Sequence, residues 1–108
     1  MMGFGLFDLD VPTTKIASAL LCLSKDDVSK LEPSPCINCG KCVEVCCCRI
    51  LPCKAAVYAD NMDEESFLKY EGMECVECGC CSFVCPAKRH LTQSIKSMRK
   101  MILEKRKK

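Results

Sequence analysis

The chain has 108 residues, 13 of them cysteine, and its 16 basic and 14 acidic side chains give a formal net charge of +2. That length fits one domain, or one small domain with an arm, and so small an apolar core is marginal without covalent or metal reinforcement. No apolar run approaches the ~20 residues that cross a bilayer, and the near-neutral total does not mark a nucleic-acid binder.

The arm before Cys36 is not driven by cysteine. Two short apolar or β-branched runs, Val11-Pro-Thr-Thr-Lys-Ile16 and Ala19-Leu-Leu-Cys-Leu23, predict the strands of a small hairpin. The apolar stretch Ile16–Leu23 comes after Asp8, Asp10 and Pro12 instead of a basic leader, so it reads poorly as an export signal. Ser24-Lys-Asp-Asp27 has capping-box spacing and predicts a short helix from Lys25 to about Leu31. Pro33-Ser-Pro35 ends it and delivers extended chain to the first cysteine loop.

The cysteines then arrive in a pattern. Cys36-Ile-Asn-Cys39-Gly-Lys-Cys42-Val-Glu-Val-Cys46 is C-x2-C-x2-C-x3-C, and Cys75-Val-Glu-Cys78-Gly-Cys-Cys81-Ser-Phe-Val-Cys85-Pro86 repeats it. Without export a disulfide framework is disfavoured, and an odd count cannot pair off within one chain. Three thiolates at three-residue intervals wrap one face of an iron–sulfur cube, and the fourth points away to ligate the other cube. The spacing therefore assigns one [4Fe–4S] cluster to Cys36, Cys39, Cys42 and Cys85, and a second to Cys75, Cys78, Cys81 and Cys46. Gly40 and Gly79 match across the repeat, where a tight turn brings backbone N–H towards cluster sulfur. The alternative is a zinc-binding structural or interaction module with a basic docking tail. Zinc sites, however, close one tetrahedron from two C-x2-C pairs and have no use for the third cysteine and the x3 step. A catalytic thiol would want a histidine partner, and His90 is the sole histidine.

Five cysteines are surplus. Cys22 and Cys53 read as small buried hydrophobes. Cys47 takes the place of the proline expected after the fourth ligand, so Cys46-Cys47-Cys48 leaves that ligand open to a one-residue slip, with spacing favouring Cys46. Cys80, beside Cys81, raises the same question more weakly.

Between the motifs, Pro52 suits a first helical position and Lys54–Ala59 continues a helix that Asp60-Asn61 breaks. Asp63–Tyr70 reads as a second helix, acidic at its start, with Gly72 just past its end and Phe67, Leu68 and Tyr70 on its buried face. The β-branched alternation of a hairpin-type spacer is absent. After Pro86, Leu91, Ile95, Met98 and Ile102 form an apolar stripe at helical spacing, with Lys96, Arg99, Lys100 and Lys105 off it. The charge is lopsided: residues 1–85 carry 7 basic and 13 acidic side chains, net −6, and residues 86–108 carry 9 and 1, net +8. The basic end is a solvated helix terminus, or else docks to an acidic partner or anionic lipid. Nucleic acid would want interleaved aromatics, and the last is Phe83.

The helical spacer and the ending Cys85-Pro-Ala-Lys-Arg-His-Leu-Thr-Gln-Ser-Ile-Lys96 resemble the α-helical ferredoxin fold. More closely, Ser34–Cys46, Leu51-Pro52 and Cys75–Pro86 resemble the C subunit of the Rnf-type ion-translocating ferredoxin:NAD oxidoreductase, and Met1-Met-Gly3 and Asp10–Lys15 resemble the stretch before its clusters. The resemblance implies a mainly α, ferredoxin-like two-[4Fe–4S] domain over residues 34–98, after an arm (1–33) with a short β-hairpin and before a basic helix end (99–108). It implies single-electron relay between a ferredoxin-type donor and a flavin/NAD site. The implied partners are the other subunits of a redox complex, which would hold the chain peripherally at the cytoplasmic face of the membrane. No catalytic residue is expected, nor a glycine-rich dinucleotide loop. In that family a flavin- and nicotinamide-binding region comes first, so Met1 aligns with mid-chain, as expected of an excised domain or a shortened relative.

Overall fold

The computed structural model describes residues 9–15, 17–22, 24–25 and 30–108. Among these residues five α-helices follow one another: α1 (Lys41–Glu44), α2 (Pro52–Asp60), α3 (Glu64–Lys69), α4 (Cys80–Val84) and α5 (Leu91–Lys107), with a 3-10 turn at Gly72–Glu74. The two shortest, α1 and α4, are one-turn helices inside the cysteine loops, below the length at which helical periodicity can be read from sequence.

Pro52 opens α2, where its missing N–H costs nothing, and its ring is buried. Asp63 caps α3 by accepting from the Ser66 N–H at 3.1 Å. The stripe Leu91, Ile95, Met98 and Ile102 is buried along α5, which packs on α2, and α3 also packs on α2. Phe67, Ile95, Met98 and Ile102 are almost wholly removed from solvent, each worth about 1.5–3 kcal/mol by area. They close one core with Ala55, Ala56 and Ala59 of α2.

Four expectations change. Among the described residues there is no strand, so the β-hairpin arm is not formed. Leu9, Leu20 and Leu21 lie exposed with no apolar face to pair against, and two short runs without such a face do not hold a sheet. Ile16 and Leu23 lie outside the described residues, as do residues 26–29 of the expected short helix. Cys22 is exposed, not buried. On α3 only Phe67 faces inward: Leu68 and Tyr70 sit at the surface, Tyr70 with its ring centroid 5.1 Å from that of Tyr58. Gly72 is not a left-handed cap; Glu71 takes that conformation at φ 58°, and Gly72 is glycine because the Phe67 ring lies directly over it.

The 39-residue repeat reaches further in the backbone than in the sequence. Asn38 and Glu77 share positive φ (56° and 60°), as do Gly40 and Gly79 (79° and 80°) and Arg49 and Lys88 (both 55°). Cys46 C=O accepts from the Arg49 N–H and Cys85 C=O from the Lys88 N–H, both at 3.1 Å. Helices α2 and α5 then begin at Pro52 and Leu91, again 39 apart. The repeated helices pack pairwise, α1 with α4 and α2 with α5.

Candidate metal centre

Each cysteine loop turns on a left-handed glycine and runs straight into a one-turn helix, which carries the third cysteine inward. Cys42 and Cys81 are buried while Cys36 and Cys39 are exposed and Cys75 and Cys78 half-buried. At Gly40 and Gly79 an added Cβ would meet nothing, so the backbone angle alone explains the glycines. Among the N–H groups that reach sulfur are those of Asn38, which donates to Cys36 Sγ at 3.4 Å, and Glu77, which donates to Cys75 Sγ at 3.3 Å. The glycines shape the turn and their neighbours supply the donors.

Two cavities result. One, of about 380 Å³ including space open to solvent, is lined by Cys36, Cys39, Cys42, Cys53 and Cys85 with Leu91 behind them. The other, of about 330 Å³ on the same measure, is lined by Cys46, Cys47, Cys48, Cys75, Cys78 and Cys81, with Ile50, Pro52 and Ile95. Each thus gathers the first three thiols of one loop and closing thiols from the other. Ser34, just before the first loop, donates its N–H to Ala87 C=O at 2.9 Å and its hydroxyl to the same oxygen at 3.4 Å, clasping the first loop to the exit of the second. Among the described residues, no three Cys, His, Asp or Glu side chains converge closely enough to hold a single metal ion.

The thiol chemistry reflects burial and neighbours. Burial first, then Cys53, pushes the Cys42 thiol up to about 11. Burial likewise raises Cys75. Cys78 is lowered, chiefly by the N–H of Cys80. Cys47 is pushed up to about 11, chiefly by Cys48, whose sulfur is 3.9 Å away, and further by burial and by the neighbouring Cys78. Soft donors around a largely apolar cavity suit iron–sulfur or another thiophilic group. A metal must displace protons from these thiols to bind.

Sequence reasoning missed three features here. Cys53 is no isolated core cysteine but half-buried in the wall of the first cavity against Cys42. Arg99 of α5 bonds Met73 C=O at 3.2 Å and pairs with Glu77, which Lys96 approaches to 3.7 Å. Ser82 and Thr92 hydrogen-bond beside Cys81. Carrying the 39-residue offset past Cys46 and Cys85 would have aligned Cys53 with Thr92 and exposed the first and third.

Fold and site define a mainly helical protein built on a duplicated cysteine loop, with two thiol-lined cavities. The chain is a relative of the C subunit of the Rnf-type ion-translocating ferredoxin:NAD oxidoreductase complexes. It is 41% identical over all 108 residues to the C subunit of the Na(+)-translocating ferredoxin:NAD(+) oxidoreductase complex of Acetobacterium woodii, covering 24% of that protein. Over 92% of the chain it is 37% identical to the proton-translocating counterpart of Clostridium ljungdahlii, covering 22% of it. The C subunit of the ion-translocating oxidoreductase complex of Methanosarcina acetivorans is 34% identical over 98% of the chain, with 24% of that protein covered. The chain therefore spans about a quarter of the length of these three relatives. No family model matches it. Among the described residues no helix is long and apolar enough to cross a membrane.

Proposed function

We propose that the chain is an electron-transfer module holding two [4Fe–4S] clusters, one on Cys36, Cys39, Cys42 and Cys85 and the other on Cys75, Cys78, Cys81 and Cys46. The observation that carries this reading is the composition of the two cavities, each lined by three thiols of one loop and at least one closing thiol of the other. Cys46 is favoured over Cys47 because its carbonyl accepts the same turn-closing bond as that of Cys85. When bound, such clusters accept and pass one electron each. The chain's part is to ligate through thiolates, to donate the Asn38 and Glu77 N–H groups to sulfur, and to limit water with Ile50, Pro52, Leu91 and Ile95. No substrate is transformed here. The relatives' names, C subunits of ferredoxin:NAD(+) oxidoreductase complexes, support a place in such a complex. Within this proposal the route runs between a ferredoxin-type donor and a flavin/NAD site on other parts of a membrane-associated complex, at the cytoplasmic face. The basic end of α5 suits an acidic docking partner.

The decisive experiment is iron and acid-labile sulfide analysis of anaerobically purified protein, with electron paramagnetic resonance after reduction. About eight irons and eight sulfides per chain are expected. Colourless protein with one or two zincs refutes the reading and supports the zinc module.

A further inference from the structure

The two halves share a backbone, so their side-chain differences stand out. Subtracting the 39-residue offset, Ser82 corresponds to Val43 and Thr92 to Cys53. Thr92 and Cys53 are each the second residue of the helix after the loop, and each lines the cavity of its own half. In the second half the Thr92 N–H donates to Ser82 Oγ at 3.0 Å, and the Ser82 hydroxyl donates back to Thr92 Oγ1 at 2.9 Å. Both partners are then committed, and the Thr92 hydroxyl proton is left for Cys81 Sγ, 3.5 Å away. A metal-bound thiolate is an acceptor only, which fixes the direction of that bond. Hydrogen bonds in such a chain polarise one another, so the last donor is strengthened. In the first half Val43 has no hydroxyl and the Cys53 side chain offers only a weak S–H donor, so Cys42 takes its help from the Cys53 backbone N–H and from no hydroxyl pair.

We propose that the Ser82–Thr92 hydroxyl pair is a potential-setting device for the centre held by Cys75, Cys78 and Cys81, stabilising the negative charge that gathers on the Cys81 sulfur when an electron arrives. The device is absent from the other half. The charged neighbours have carboxylate partners of their own: Arg89 beside the first cavity faces Asp60 at 3.7 Å, and Arg99 and Lys96 near the second face Glu77, with Arg99 acting on Cys75. The assignment rests on the two-cluster reading above.

The test is a potentiometric titration followed by electron paramagnetic resonance on the full, iron-loaded chain carrying Thr92→Val, which keeps the backbone N–H and the branched shape. One of the two reduction waves moves to more negative potential by about tenfold in its equilibrium constant, 59 mV for one electron. The other wave stays, and Thr92→Ser restores the first. Unmoved waves, equal movement of both, or a Thr92→Ser protein displaced as far as Thr92→Val overturn the proposal. Should Thr92→Val lose iron, Val43→Ser with Cys53→Thr builds the pair in the first half. That protein is expected to move the other wave to less negative potential, and no movement overturns the proposal. Wild-type protein with no iron–sulfur centre is a separate outcome: it overturns the functional reading, and this assignment with it.

Discussion

Replacing Gly72 by alanine tests the packing on which the second loop rests. An alanine Cβ would lie 2.5 and 2.6 Å from Cε2 and Cε1 of Phe67, and closer still to Cζ. Carbon atoms settle at about 3.5–4.0 Å, so the ring or the turn must yield by about 1 Å. The ring has no free space to yield into, being fully buried against the α2–α5 core. Overpacking of this kind costs about 1–3 kcal/mol. For a domain of this size 2 kcal/mol lowers the melting midpoint by about 8–16 °C. The turn also presents Met73 C=O to Arg99 and leads into Cys75, so iron is expected to leave the second cavity first on heating. The assay is a thermal melt of anaerobic, iron-loaded protein by circular dichroism in the far ultraviolet and the visible. Phe67→Leu in the same chain relieves the clash, so the double variant should melt above the sum of the two single losses. A Gly72→Ala protein that melts with the wild type, or strict additivity in the double variant, would refute the reasoning.

Cys39→Ser is expected to halve the bound iron and abolish one of two reduced-state signals. Cys47→Ser should leave iron content unchanged, whereas Cys46→Ser loses half; the reverse pattern would move the fourth ligand by one residue. Stripping iron with a chelator should remove most of the far-ultraviolet helical signal, because the core left behind is small, and a fully retained native melt would contradict this. Asp63 is held below its usual carboxylate range by the Ser66 hydrogen bonds. Its contribution is present above the unfolded carboxylate pKa of about 3.9 and is lost as pH falls through the folded value. Asp63→Asn should keep the cap and flatten that part of the acid melt profile, which a pH series of melting midpoints would read.

The helices of the spacer and the α5 stripe were legible because they announce themselves locally. Proline at the first position, acidic residues at an N-terminus and apolar side chains every three or four residues each act within one or two turns. The duplicated cysteine loop was legible for the same reason, being a fixed spacing met twice. Contacts between distant segments were not. Gly72 reads as a helix stop in sequence, and only the fold puts Phe67 over it. Leu20 and Leu21 look like strand residues, yet no apolar partner comes to them in the described structure. The likeness of Cys53 to Thr92 was hidden because residues 47–52 and 86–91 share almost no side chains, although their backbones turn alike at Arg49 and Lys88.

The bond from Ser34 to Ala87 joins positions 53 residues apart into a closed circuit. Twelve of the 13 cysteines lie inside it; Cys22 alone lies outside. Sequence added ahead of Ser34, or beyond the outer turns of α5, attaches to the rim without threading through the sulfur-bearing interior. The cysteine-bearing stretch is thus fastened at both ends by one clasp, and α5, from beyond Ala87, lays its apolar stripe over it.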